Sequence, residues 1–235
     1  MSQGIPVFRS RRSGSSKRRW RDVRIGAKEE RDTLFTARWK PAEVAVFTAA
    51  DEYATSAGTH ALDFRLACTE NLHCDALPAC GVPFDSYELS DIAAPRLPEY
   101  KVYVFPNAFT LSDEMRDKIK ERVFREGKTA VWIYRAPEGF ENGCRSVILP
   151  LSSTAAELRK TFRAAGAHVW METDDVFAAG RGYVMVHAAT DGEKTVCLPN
   201  ACNAREVFGA SPAMSSVTTL SAWLKRGETR VWRLF

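Results

Sequence analysis

The side chains able to do covalent chemistry are few, and their spacing limits them. Six cysteines stand at Cys68, Cys74, Cys80, Cys144, Cys197 and Cys202. No two form a C-x-x-C pair, and no Cys/His set has zinc-site spacing. His73 and Cys74 are adjacent in a stretch of helical character, where neighbours point about 100° apart and seldom share a metal. No metal site is assigned, and the cysteines read as ordinary buried or half-buried thiols. A hydrolase or amidotransferase nucleophile must stand on a strained turn between a strand and a helix. Cys80 precedes a strand instead, and Cys144, in Asn142-Gly143-Cys144-Arg145, has no histidine predicted beside it. Glu172, Asp174 and Asp175 crowd into one short segment, METDDV. A glycosidase needs two carboxylates held apart across a rigid cleft, so these read as a turn with Asx-type hydrogen bonds. His187 reads as a half-buried strand residue. Trp132, Trp170, Trp223 and Trp232 lie in or beside strands and read as core.

The elements that must position any site follow from apolar periodicity. Glu43–Thr48 is a short apolar, β-branched run, the first buried strand. His60–Leu77 fits a helix ended by Pro78. Phe84–Leu89 and Tyr100–Phe105 are the second and third strands. Ser112 is an N-cap, and Met115, Ile119 and Val123 then fall on one helical face, with Gly127 expected as the C′ residue. Thr129–Tyr134 follows as the fourth strand. Strand, helix and strand joined by short links mean parallel crossovers. The fold class is therefore α/β: a Rossmann- or flavodoxin-like open, mostly parallel sheet with helices on both faces.

The second half differs. Thr154 and Glu157 form a capping box that opens a helix ending near Gly166. Short strands are expected at His168–Met171, Tyr183–Ala188, Glu193–Leu198, Glu206–Phe208, Val217–Leu224 and Thr229–Leu234. Asp191-Gly192 reads as a hairpin turn and Gly227 as the last turn. This is a small antiparallel β domain. Three regions result: a basic leader over 1–40, an α/β domain over 41–166 and the β domain over 167–235.

In an open α/β sheet, ligands sit beyond the C-terminal ends of the strands. Asp51 and Glu52 after strand one, Asn107 after strand three and Tyr134 with Arg135 to Gly139 after strand four are the candidate ligand-binding residues. The alternative is that Asp51, Glu52 and Asn107 are plain loop and cap residues. The sequence TAADEYATSAG after strand one has one glycine where a dinucleotide fingerprint needs three. No P-loop pattern occurs, so no cofactor is assigned. The turn after strand four holds Tyr134-Arg135-Ala136-Pro137-Glu138 and no Ser or Cys, so no catalytic residue is assigned either.

At 45% hydrophobic and 26% charged residues, the composition is that of a globular chain. No apolar run approaches the roughly 20 residues that span a bilayer, and no secretory h-region is visible. The cytoplasm is the expected compartment, and no membrane partner is expected. The net charge of +4 is uneven. Residues 1–40 carry twelve Lys/Arg against four Asp/Glu, and the remainder is net acidic. The arm, with SRRSGSSKRRWRDVR at its centre, reads as disordered. With no basic stripe on the rest of the chain to join it, nucleic acid is not an expected partner.

Several phrases together resemble the C-terminal part of barrel-type glycoside hydrolases, the β-galactosidase trimerisation domain and the β domain behind it. They are Ala42–Phe47 (AEVAVF), Gly81–Asp91 (GVPFDSYELSD), Leu97–Glu126 (LPEYKVYVFPNAFTLSDEMRDKIKERVFRE) and Gly127–Tyr134 (GKTAVWIY). Ala164–Gly182, His187–Leu198 and Gly227–Leu234 resemble the β domain. The resemblance implies a class I glutamine amidotransferase-like fold without the nucleophile. It implies a non-catalytic module that follows a (β/α)8 barrel and packs between subunits, as a homo-oligomer (a trimer in that family) or against the barrel. The family's catalytic glutamates lie on the barrel, so none is carried over. Arg135 and Glu138 interrupt the family's Ala-Pro-Gly phrase, and the short link from Phe140 to Leu151 leads us to expect a strand or two of the family sheet to be missing. Two other classes stay open: a small-ligand or carbohydrate-binding domain, and an amidotransferase-like or hydrolytic enzyme.

Overall fold

A computed structural model describes residues 42–49, 67–141, 145–209 and 211–235. The basic leader, Asp51, Glu52 and Cys144 lie outside the described residues, as does the start of the expected helix at His60. The first sheet holds β1 (Val44–Thr48), β2 (Phe84–Glu88), β3 (Val102–Phe105), β4 (Thr129–Ile133) and β5 (Arg145–Leu149), in the order β2-β1-β3-β4-β5. Every neighbouring pair is parallel. A fifth strand thus occupies the link expected to lack one. Arg145–Leu149 went unread because its alternation is short and it is an edge strand, half exposed along its length.

Strand alternation builds two cores from one sheet. Ala45, Phe47, Tyr103, Phe105, Ala130 and Trp132 point to one face, where helix α2 (Asp113–Val123) supplies Ile119 and Val123. Val44, Val46, Val102, Val104, Val131 and Ile133 point to the other. There they meet Leu72 and Leu77 of helix α1 and Leu158 and Phe162 of helix α3 (Ala155–Ala164). Helix α1 is π-helical over Ala67–Ala76 and closes with an α turn, Leu77–Ala79. Pro78 therefore does not end it. It falls in the first turn of the α piece, where a missing N–H breaks no hydrogen bond.

Both predicted caps form. Ser112 Oγ accepts the Met115 N–H at 3.2 Å, and Thr154 and Glu157 exchange side-chain and backbone bonds as a capping box. The C-terminus of α2 departs from expectation. Phe124 is the C-cap, and Gly127 (φ 75°) shapes the loop three residues further on.

The second sheet holds β6 (Val176–Gly180), β7 (Tyr183–His187), β8 (Gly192–Glu206), β9 (Met214–Leu224) and β10 (Thr229–Leu234), in the order β6-β7-β10-β8-β9, all antiparallel. The segment expected at Glu193–Leu198 extends as one long strand to Glu206, bulged between Cys197 and Ala204, while Val207 and Phe208 of the strand expected at Glu206–Phe208 lie outside it. Asp191-Gly192 closes no hairpin. Ala188 bonds to Glu228 and Gly227 instead, so β10 runs between β7 and β8. Asp191 accepts the Arg226 N–H at 2.7 Å and so holds the neighbouring turn. The tight two-residue turn is Arg181-Gly182, with φ 52° and 77°. Two successive positive φ values match the type I′ turn that suits strand twist.

His168–Met171, expected as a strand, lies outside both sheets. Trp170 and Met171 donate to Gly81 O, and Cys197 N–H donates to Trp170 O at 2.7 Å. This segment ties the two sheets together. Gly81 has φ 69°, and a Cβ there would stand 1.9 Å from the Met171 carbonyl oxygen. Only glycine fits so close an approach. Arg159, buried on α3, reaches the same junction. It donates to the carbonyls of Ala79, Cys80 and Thr173 and pairs with Asp174 at 2.6 Å.

Candidate functional site

The chain leaves β1 to place β2 on one side and then crosses to place β3 on the other. Such a reversal opens a crevice at the C-terminal ends of the two central strands, the customary ligand position in an open parallel sheet. Asn107, two residues past β3, stands there and is 1% exposed. Its Nδ2 donates to Ala49 O at 2.7 Å, and its Oδ1 accepts the Ala49 N–H at 2.9 Å. The amide completes the backbone of the residue just after β1, much as one more strand residue would. Both polar atoms of the Asn107 amide are thus engaged by the Ala49 backbone. Beside it, His73 Nε2 lies 3.3 Å from Thr48 Oγ1, and burial lowers its pKa and favours the neutral ring.

Tyr134 follows β4 directly and adopts φ 73°. Its N–H donates to Leu149 O at 2.7 Å, and the Arg135 N–H reaches back to Ile133 O at 3.0 Å. A hydrogen bond across three residues with positive φ at the centre is a rare, strained turn. The position after the fourth strand, where an enzyme of this kind would need a strained turn, does carry one, and a tyrosine sits at its apex. The side chain is 55% exposed. Phe109 meets it edge-on at 6.2 Å between ring centroids, and the Arg135 guanidinium lies 5.3 Å over the Phe109 ring. The loop beyond is anchored to α2 by a bond from Arg116 Nη1 to Glu138 O at 2.8 Å. The rim of β3 and β4 thus carries the buried, fully bonded Asn107 and an aromatic and cationic patch, Tyr134, Phe109 and Arg135.

The other titratable candidates are engaged structurally. Burial pushes the Cys80 thiol up to about 11, so little thiolate forms near neutral pH. Glu172, Asp174 and Asp175 are not the local turn expected of them. Each holds a basic partner from elsewhere: Arg163, Arg159 and Lys194. Asp175 and Lys194 are both buried and stand 2.9 Å apart. Burial opposes ionisation of Asp175, but bonds from Thr173, Lys194 and the Ala189 amide outweigh it and hold the carboxyl below its ordinary range. His187 is half-buried in β7 and bonds Thr229 Oγ1 at 2.8 Å. Among the described residues no three His, Cys, Asp or Glu side chains gather as a metal site would require.

The tryptophans divide. Trp132, Trp170 and Trp232 are buried as expected, but Trp223 is 59% exposed. The signal was in the alternation of β9. Leu220 and Leu224 are buried, so Trp223 falls out of phase with them, beside Ser221 and Thr219 on the outer face.

No protein-family model matches this chain, and no curated protein matches it. Among solved structures it is similar to a β-galactosidase from Bacillus circulans sp. alkalophilus, with a TM-score of 0.52 and 13% sequence identity. The likeness covers 91% of this chain and 45% of that one. It is a likeness of fold, and the chain spans less than half the length of that enzyme.

Proposed function

We propose that this chain is a non-catalytic accessory and oligomerisation module of the kind found in the C-terminal part of β-galactosidase-like glycoside hydrolases. The observation that carries the reading is the turn at Tyr134. In an amidotransferase-like or hydrolase-like sheet, the apex of the strained turn mounts the attacking serine or cysteine. Here the apex is an exposed tyrosine, and Asn107, one strand away, is buried with its amide bonded to the Ala49 backbone. The strand order supports a flavodoxin-like, amidotransferase-related sheet, and the solved β-galactosidase supports a parent enzyme of which this is a part.

The uncovered edge of the first sheet is where a partner would pack. On β5, Ile148 is 48% exposed and Val147 and Leu149 are half-buried. Val147, Leu149, Ala164 and Ala165 floor an open groove of about 540 Å³ between β5 and α3. An apolar edge strand is a template for association. A second copy of this chain or a (β/α)8 barrel is the expected occupant, with a cytoplasmic setting and no cofactor.

A second reading, a small-ligand or carbohydrate-binding domain, is favoured by one feature: strain and exposure coincide at Tyr134, as they often do at functional sites. A turnover assay decides against or for an enzyme. The purified chain given a chromogenic β-galactoside is expected to release no chromophore. Release that disappears on Cys144→Ala or Tyr134→Phe would return the chain to the enzymes.

A further inference from the structure

The outer face of the β8–β9 ribbon carries a side-chain set that the accessory reading does not use. The two strands pair in register, Glu193 opposite Trp223, Thr195 opposite Ser221 and Cys197 opposite Thr219. Alternation puts all six on one face, and all six are exposed, while Lys194, Val196, Leu220 and Leu224 turn inward. Directly opposed residues have Cβ atoms about 4.5–5.5 Å apart, which puts the Glu193 carboxylate within reach of the indole. Thr195 and Ser221 hydroxyls lie 3.2 Å apart on the next rung. Among the described residues, Glu193 enters no ion pair.

On this paired strand the indole is 59% exposed, so most of its surface is left to water and not to the core. The neighbours decide what it suits. A protein-binding hot spot surrounds its aromatic anchor with further apolar side chains. Here the surround is one carboxylate and a row of hydroxyls. That is the complement of a pyranose ring, which has one apolar C–H face to lie on the indole and a girdle of hydroxyls to bond an acceptor and several donor–acceptor groups. The carboxylate, an acceptor of charge-assisted bonds, would grip two adjacent sugar hydroxyls most firmly.

We propose that this face is a sugar-binding platform. Trp223 stacks the ring, Glu193 accepts its hydroxyls, and Thr195 and Ser221 extend the contact to a second unit. The platform lies on the antiparallel sheet and is independent of the β5 edge, so its failure and the failure of the oligomerisation reading are told apart.

The test is a titration of the full chain with lactose, cellobiose and methyl β-galactoside. It is followed by two-dimensional 1H–15N spectra of the indole N–H groups, the Trp223 signal being identified by its loss in Trp223→Phe. A saturable shift of that signal with at least one sugar is expected. Trp223→Ala should abolish the binding heat, and Glu193→Gln should weaken it about tenfold, the cost of exchanging a charged acceptor for a neutral one. Phe208→Ala, an exposed aromatic beyond the other end of β8, should leave it unchanged. Both platform residues are solvent-facing, so unchanged circular dichroism shows that the variants fold. The proposal is overturned if no sugar moves the Trp223 signal, if binding survives Trp223→Ala, or if Trp223→Ala instead breaks an oligomer in sedimentation with no sugar effect.

Discussion

The two sheets treat their side chains in opposite ways. The parallel sheet is covered on both faces, so every residue of β1, β3 and β4, except the half-buried Thr48, is buried and chemistry is left only to the rim. The antiparallel sheet sends alternate residues to solvent along β8 and β9. A parallel sheet hides its strands and offers loops, whereas an antiparallel one offers the strands themselves. In this chain Asn107 at the rim is held by the Ala49 backbone, and the open strands carry the exposed tryptophan.

The junction between the sheets should be the most sensitive place. Gly81→Ala forces a side chain into a positive-φ residue and onto the Met171 carbonyl. A loss of roughly 2–5 kcal/mol is expected in urea unfolding, and a loss below 1 kcal/mol would show that the junction yields easily. Within the second sheet, Lys194→Met leaves the buried Asp175 carboxylate without its partner. That should cost about 3–5 kcal/mol, while changing Asp175 to Leu at the same time should recover most of it.

The same pair predicts a pH dependence. Asp175 titrates below its unfolded value of about 3.9 in the folded state. Its contribution is therefore fully present above that value and is lost as pH falls through the lower folded pKa. Thermal melts of the wild type between neutral and strongly acid pH should show a decline that Asp175→Asn flattens. An unchanged slope would mean that the ion pair is not formed.

At the rim, Asn107→Ala strands the N–H and C=O of Ala49. About 2–6 kcal/mol should be lost, at about 1–3 kcal/mol for each of the two buried unsatisfied groups. A ligand-binding Asn107 would instead cost affinity and leave stability alone. Tyr134→Gly should stabilise the chain, by up to about 1 kcal/mol, because glycine takes a left-handed φ without strain. Destabilisation would mean that the ring contact with Phe109 outweighs the turn.

Much of this was legible in the sequence. The strands at Glu43, Tyr100 and Thr129, the caps at Ser112 and Thr154, and the last strand at Thr229 follow from local patterns that tertiary contacts reinforce. What was missed depends on distant partners. β5 pairs with β4 only once the sheet exists. Asp191-Gly192 looked like a hairpin because a two-residue signal cannot reveal that β10, more than thirty residues on, comes between β7 and β8. Asp175 looked like a turn residue because Lys194 lies far along the chain. At the rim, the tyrosine in the turn was readable and its strain was not, since φ is invisible in composition. Asn107 was read as a rim residue after the third strand, and its bonds to the Ala49 backbone could not be read from composition. Trp223 was assigned to the core from its residue type, although its phase against Leu220 and Leu224 already put it outside.

Association through the β5 edge tests the account most directly. Sedimentation velocity of the wild-type chain and of Ile148→Lys, over a wide concentration range, should show an oligomer that the exposed lysine dissociates without loss of fold. A wild type that sediments as a monomer at every concentration, and does not co-sediment with a (β/α)8 barrel, would contradict it.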